Sequence, residues 1–140
     1  MAIVNLEPLC ARYGLEMIRE DGKIKEQEII LNKALGVLCE NGIYAMSLYL
    51  LTCQDKDYGK WILTECLREL WQKEGIGLIG NEVSGDKIAV LQAVRGMTEN
   101  LTTVILAKRL TEQTLTFARY HAKAKANAER PVEAGQQETP

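Results

Sequence analysis

Five cations crowd one stretch near the end of this chain: Lys108, Arg109, Arg119, Lys123 and Lys125. The surrounding sequence, RLTEQTLTFARYHAKAKANAER from Arg109 to Arg130, is patterned like a helix. Cations one or two turns apart on a helix can track a nucleic-acid backbone through its phosphates without reading bases. The positive charge is local. Leu101 to Arg130 holds 6 basic and 2 acidic residues, whereas Met1 to Lys60 holds 7 and 9 and the whole chain carries −2. No global field draws nucleic acid to such a chain, so any attraction must come from a patch. At about 100° per residue, Lys108, Arg109, Glu112, Thr116, Arg119 and Lys123 fall on one side of the helix. Leu106, Ala107, Leu110, Thr114, Phe117, Ala118, His121 and Ala124 fall on the other. The competing reading of the ridge is a solvated helix face, its cations favoured near the C-terminus by the helix dipole.

Other chemistry is poorly supplied. Gly75-Ile76-Gly77-Leu78-Ile79-Gly80 spells G-x-G-x-x-G, but a dinucleotide site needs a strand before it and a helix opening at it. A helical pattern precedes this one, so a flexible interhelical loop is the expectation. His121 is the one histidine and no two cysteines form C-x-x-C, so no metal site is expected. Glu65 and Glu69 share a helix face without the Glu-x-x-His repeats of a carboxylate metal bundle. There is no G-x-S-x-G, and no nucleophile–base constellation emerges. The expectation is a non-enzyme with no catalytic residues and no cofactor. Asn100-Leu101-Thr102 matches the glycosylation sequon, but it falls inside an expected helix. Cys10, Cys39, Cys53 and Cys66 sit among apolar neighbours and read as buried, reduced thiols of a cytoplasmic protein. MAIVNLEPLC lacks the basic start and apolar run of a signal peptide, and the longest apolar run, Ile43–Cys53, is far below the ~20 residues of a membrane span.

The elements that must position the ridge read as all-α. At 140 residues the chain suits one domain. Prolines occur at 8, 131 and 140 alone, leaving a long proline-free span that favours helix. The pattern predicts a single-domain bundle of five to six helices ending in a long basic one. Helices are expected over about Leu6–Glu20, stopped at Asp21-Gly22; Lys25–Glu40; Ile43–Cys53 after an Asn41-Gly42 turn; and from an Asp55 or Asp57 cap to Glu74. A loop follows over Gly75–Gly85, then a helix capped by Ser84 or Asp86 to Val94, and a last helix capped by Thr98. In the fourth helix Leu63, Cys66, Leu67, Leu70 and Trp71 form the apolar stripe, opposite Glu65, Arg68, Glu69 and Gln72. The expected core is Leu35, Leu38, Ile43, Met46, Leu50, Ile62, Leu67, Leu70, Trp71, Leu106, Leu110 and Phe117. The domain is expected over 1–128, with a disordered tail over 129–140, unpatterned and polar.

The order of segments resembles a known family. LCENGIYAMSLYLL (Leu38–Leu51), YGKWILTECLRELW (Tyr58–Trp71) and LAKRLTEQTLTFARYHAKA (Leu106–Ala124) are similar to the small all-helical subunit of the Cmr, or type III-B, CRISPR effector complex. Asn41-Gly42-Ile43 matches that family's turn into an apolar helix, and Phe117, Arg119 and Tyr120 match its apolar, basic-aromatic close. The resemblance covers roughly Leu31 to Ala126. It implies a non-catalytic subunit of an antiviral ribonucleoprotein, a monomer in isolation that stacks head to tail with copies of itself beside other Cmr subunits. It further implies sequence-independent contact with the phosphates of the guide RNA and target RNA, and the basic helix offers Lys108, Arg109, Arg119, Lys123 and Lys125 for it. A helical adaptor that binds only protein is the alternative.

Overall fold

The computed structural model describes residues 5–20 and 22–129, and within them the chain is all helical. Six helices are present among the described residues: α1 (Glu7–Glu16), α2 (Ile24–Asn41), α3 (Ile43–Thr52), α4 (56–72), α5 (Lys87–Met97) and α6 (Leu101–Glu129). The expected tail from residue 130 onward and Asp21 of the first stop signal lie outside the described residues.

The first stop comes earlier than the pattern suggested. α1 ends at Glu16, and Met17 N–H still bonds the Tyr13 and Gly14 carbonyls just past that end. The connection after it is then held by a side chain: Gln27, buried in α2, accepts from Arg19 N and donates to Arg19 O, both at 2.9 Å. Between α2 and α3 a single residue makes the corner. Gly42 has φ +98, a conformation that side-chain-bearing residues rarely adopt.

α4 is not uniform. Lys56–Trp61 and Arg68–Gln72 are α-helical, and Ile62–Leu67 between them is a π-helical turn. Asp55 opens the helix, its carboxylate accepting from Tyr58 N at 3.1 Å. The wider turn places Ile62, Leu63, Thr64, Cys66 and Leu67 all in the interior. Its polar groups are satisfied locally: Thr64 Oγ1 donates to Lys60 O at 2.7 Å, and Arg68 Nε donates to Thr64 O at 2.7 Å. The expected apolar stripe of this helix is buried throughout.

The glycine-rich loop after α4 is pinned rather than free. Leu78 N–H bonds Trp71 O at 2.8 Å, and Gln72 Nε2 donates to Gly80 O and Val83 O at 2.9 and 2.8 Å. The next helix opens at Lys87, capped by Asp86, so no helix N-terminus meets the glycines and the phosphate-cradle geometry is missing. The cap of α6 also differs from expectation. Asn100 Oδ1 accepts from Thr103 N at 2.9 Å, while Thr98 spends its hydroxyl on Arg95 O at the end of α5.

α6 is the spine. It lacks Gly and Pro, and alanines at 118, 122, 124, 126 and 128 favour helix along its second half. Its 29 residues extend roughly 44 Å. α1 runs parallel to it, since Cys10 meets Leu110 and Gly14 meets Ala118. At Gly14 a Cβ would lie 2.9 Å from Ala118 N, so glycine sets the closeness of this crossing. α2 runs antiparallel, since Asn32 meets Arg119 and Cys39 meets Glu112. The core gathers where α3, α4 and α5 close on this trio. Leu38, Ile43, Met46, Leu50, Ile62, Leu67, Leu70, Trp71 and Leu110 are buried as expected, Leu35 and Phe117 are partly covered, and Leu106 is exposed.

Candidate nucleic-acid interface

The buried side of α6 decides where its cations point. Ala107, Leu110, Thr111, Thr114, Leu115, Ala118 and Ala122 are enclosed. Thr111, Leu115 and Ala122 were outside the expected stripe, whereas Leu106, Phe117, His121 and Ala124 lie at its edge or in solvent. Two threonines account for the turn of the helix. Thr114 Oγ1 donates to Leu110 O at 2.8 Å and Thr111 Oγ1 accepts from Trp71 Nε1 at 3.0 Å, so both hydroxyls are satisfied inside the core.

The five cations do not form one ridge. Lys108 and Arg119 stand on the border with α2. Lys108 Nζ donates to Cys39 O at 3.5 Å, and Arg119 Nη1 donates to Asn32 Oδ1 at 2.9 Å. Arg109 projects into a groove of ≈ 680 Å³ on the α1 side, beside Leu6, Leu106, Glu112 and Phe117. Lys123 is exposed. Lys125 is two residues beyond Lys123 and therefore about 200° around the helix. It forms an ion pair with Glu20 past the end of α1.

Two of the five come together, with a third cation from elsewhere. Lys25 from the start of α2, and Arg119 and Lys123 from α6, line one groove of ≈ 350 Å³ together with Glu28, Ile29 and Asn32. Three cations face one carboxylate there. Among the described residues neither Lys25 nor Lys123 is held in an ion pair. The sequence does not mark Lys25, which is 94 to 98 positions from its companions. The antiparallel packing of α2 on α6 brings it in. No local signal announces that.

No family model, curated protein or solved structure matches this chain.

The acidic residue in the row is also accounted for. Glu112 Oε2 accepts from Cys39 Sγ at 3.5 Å, which turns this carboxylate toward α2. Cys39 is exposed, unlike Cys10, Cys53 and Cys66, and corrects the expectation of four buried thiols. It occupies the solvent-facing border of α2, where the apolar neighbours in sequence belong to the opposite face of the helix. Desolvation and the Glu112 carboxylate both push its thiol above the ordinary value. Among the described residues, no group of three or more His, Cys, Asp or Glu side chains is placed to hold a metal ion. None of the helices described is long and apolar enough to cross a membrane.

Proposed function

We propose that this chain is a non-catalytic module that holds RNA by its phosphates, acting as the small helical subunit of a type III-B CRISPR effector complex. The observation that carries the reading is the groove between α2 and α6, where Lys25, Arg119 and Lys123 converge. Ammonium and guanidinium groups bind phosphate by charge and hydrogen bonding, with no dependence on the base attached. Asn32, the groove's amide, has its carbonyl oxygen engaged by Arg119, which suits backbone contact better than base readout. The segment order of the sequence supplies the family, and the guide–target duplex is the substrate it implies. Lys108 and Arg109 extend the contact along α6; Lys125, tied to Glu20, contributes least.

Changing Lys25, Arg119 and Lys123 together to Ala tests the reading. The expected result is an intact far-UV spectrum and melting temperature, weaker RNA binding irrespective of base sequence, and a shallower salt dependence. Each lost phosphate contact lowers the magnitude of the log–log salt slope by about 0.7 on a single strand and about 0.9 on a duplex. A matched change of Lys33, Lys56 and Lys60, exposed and outside the groove, serves as the control. Equal affinity and equal slope for the triple variant and the wild type overturn the proposal.

A second reading has an observation of its own. Leu101, Ile105 and Leu106 at the start of α6 are 74%, 50% and 39% exposed. Leu101 and Ile105 are one turn apart on the same face, and large apolar side chains paired in solvent mark protein contact. If α6 serves a protein-only adaptor, Leu101→Asp with Ile105→Asp abolishes co-assembly with the larger subunits while the cation variant leaves it unchanged.

A further inference from the structure

Tyr120 lies outside the buried core of the bundle. The residue is 55% exposed on the outer face of α6, between the row that meets α1 and the row that meets α2. The ring is nonetheless oriented. The Arg119 guanidinium lies 4.9 Å from its centroid, and that guanidinium is itself anchored by Asn32 on α2. One turn away in either direction stand the small side chains of Thr116 and Ala124, so the neighbours at i−4 and i+4 leave the ring uncovered. Lys123, three residues on, places an ammonium on the same flank. An exposed aromatic ring backed by a fixed guanidinium and flanked by a lysine is the combination that takes a nucleobase on the ring and its phosphates on the cations.

The geometry points to Tyr120 as a stacking platform for one unpaired nucleobase, with the adjoining phosphates on Lys123 and Arg119. This rests on the phosphate-holding reading above and adds a substrate preference to it. The cations alone serve a paired or an unpaired strand equally well, whereas a base inside a duplex is already stacked and cannot reach the ring. The site therefore favours single-stranded RNA, or a single-stranded segment adjoining a duplex, and tolerates any base because each has a π-face.

The test compares wild type, Tyr120→Leu and Tyr120→Phe by fluorescence anisotropy on three probes: a 12-nucleotide oligouridylate, the same oligomer with abasic sites, and a 12-base-pair RNA duplex. The expected results are these. Tyr120→Leu weakens oligouridylate binding by roughly 5- to 150-fold, Tyr120→Phe leaves it within about twofold, and neither change alters duplex binding or the salt slope. On the abasic oligomer, wild type and Tyr120→Leu bind alike. If Tyr120→Leu binds oligouridylate like wild type, or loses duplex and single strand in parallel, the platform is refuted while the phosphate groove stands. If wild type binds none of the probes, the groove and the platform fall together.

Discussion

The indole of Trp71 and the hydroxyl of Thr111 meet in the middle of the core: Nε1 donates to Oγ1 at 3.0 Å, and both residues are fully enclosed. This bond joins the end of α4 to the middle of α6. It fixes the rotation of the long helix, and with it the direction of every cation the helix carries. Replacing Thr111 by Val keeps the shape and leaves a buried indole N–H without a partner, an expected loss of about 1–3 kcal/mol. Thr111→Ser keeps the acceptor and costs less. Urea denaturation of the two variants checks this; equal stabilities for Val and wild type contradict it.

Gly59 marks a close approach of α4 to the end of α3. A Cβ there would sit 1.9 Å from Leu50 O and 2.7 Å from Cys53 Sγ. Since backbone cannot give way as a flexible side chain can, Gly59→Ala is expected to destabilise by about 1–3 kcal/mol or more. Gly36 is the converse. It is exposed within α2, and a Cβ there meets nothing within 4 Å. Gly36→Ala is expected to stabilise by about 0.5–1 kcal/mol, because glycine has more freedom to lose on entering a helix. Chemical denaturation of both variants, side by side, reads the opposite signs.

Stability should fall at alkaline pH. Burial pushes the Cys66 thiol from 9.0 up to about 12, with Glu16, Glu69 and Glu65 acting in the same direction. Below pH 9 both folded and unfolded chains keep the proton. Between pH 9 and about 12 the unfolded chain releases it and the folded chain does not, so the unfolded state binds fewer protons and stability declines as pH rises. Burial raises Tyr58 too, and its phenol donates to Met17 O at 2.7 Å, so it adds to the decline above pH 10.0. The limiting slope is about 1.4 kcal/mol per pH unit for each group. Melting temperatures from pH 7 to 11 should drop for wild type and drop less steeply for Cys66→Ala; identical profiles would exclude Cys66 as a contributor.

The sequence by itself determined the helical class, most of the element boundaries and the central core. The reason is periodicity: Leu63, Cys66, Leu67, Leu70 and Trp71 recur at helical spacing, and all are buried. The Gly42 corner was legible because it depends on a single residue's conformational freedom, and each cap was legible to within two residues, Asp55 or Asp57 and Ser84 or Asp86, of which the structure selects Asp55 and Asp86. The tertiary structure alone decided which cations lie together. A helical wheel assigns Lys108, Arg109, Arg119 and Lys123 to one side, yet which part of that side stays open depends on where α1 and α2 lie against it. It also decided that Thr111 belongs inside, since a hydroxyl is tolerated in a core only where a partner waits for it. Lys25 joined the groove for the same kind of reason: proximity across an antiparallel pair is a property of packing, and nothing in the residues next to Lys25 encodes it.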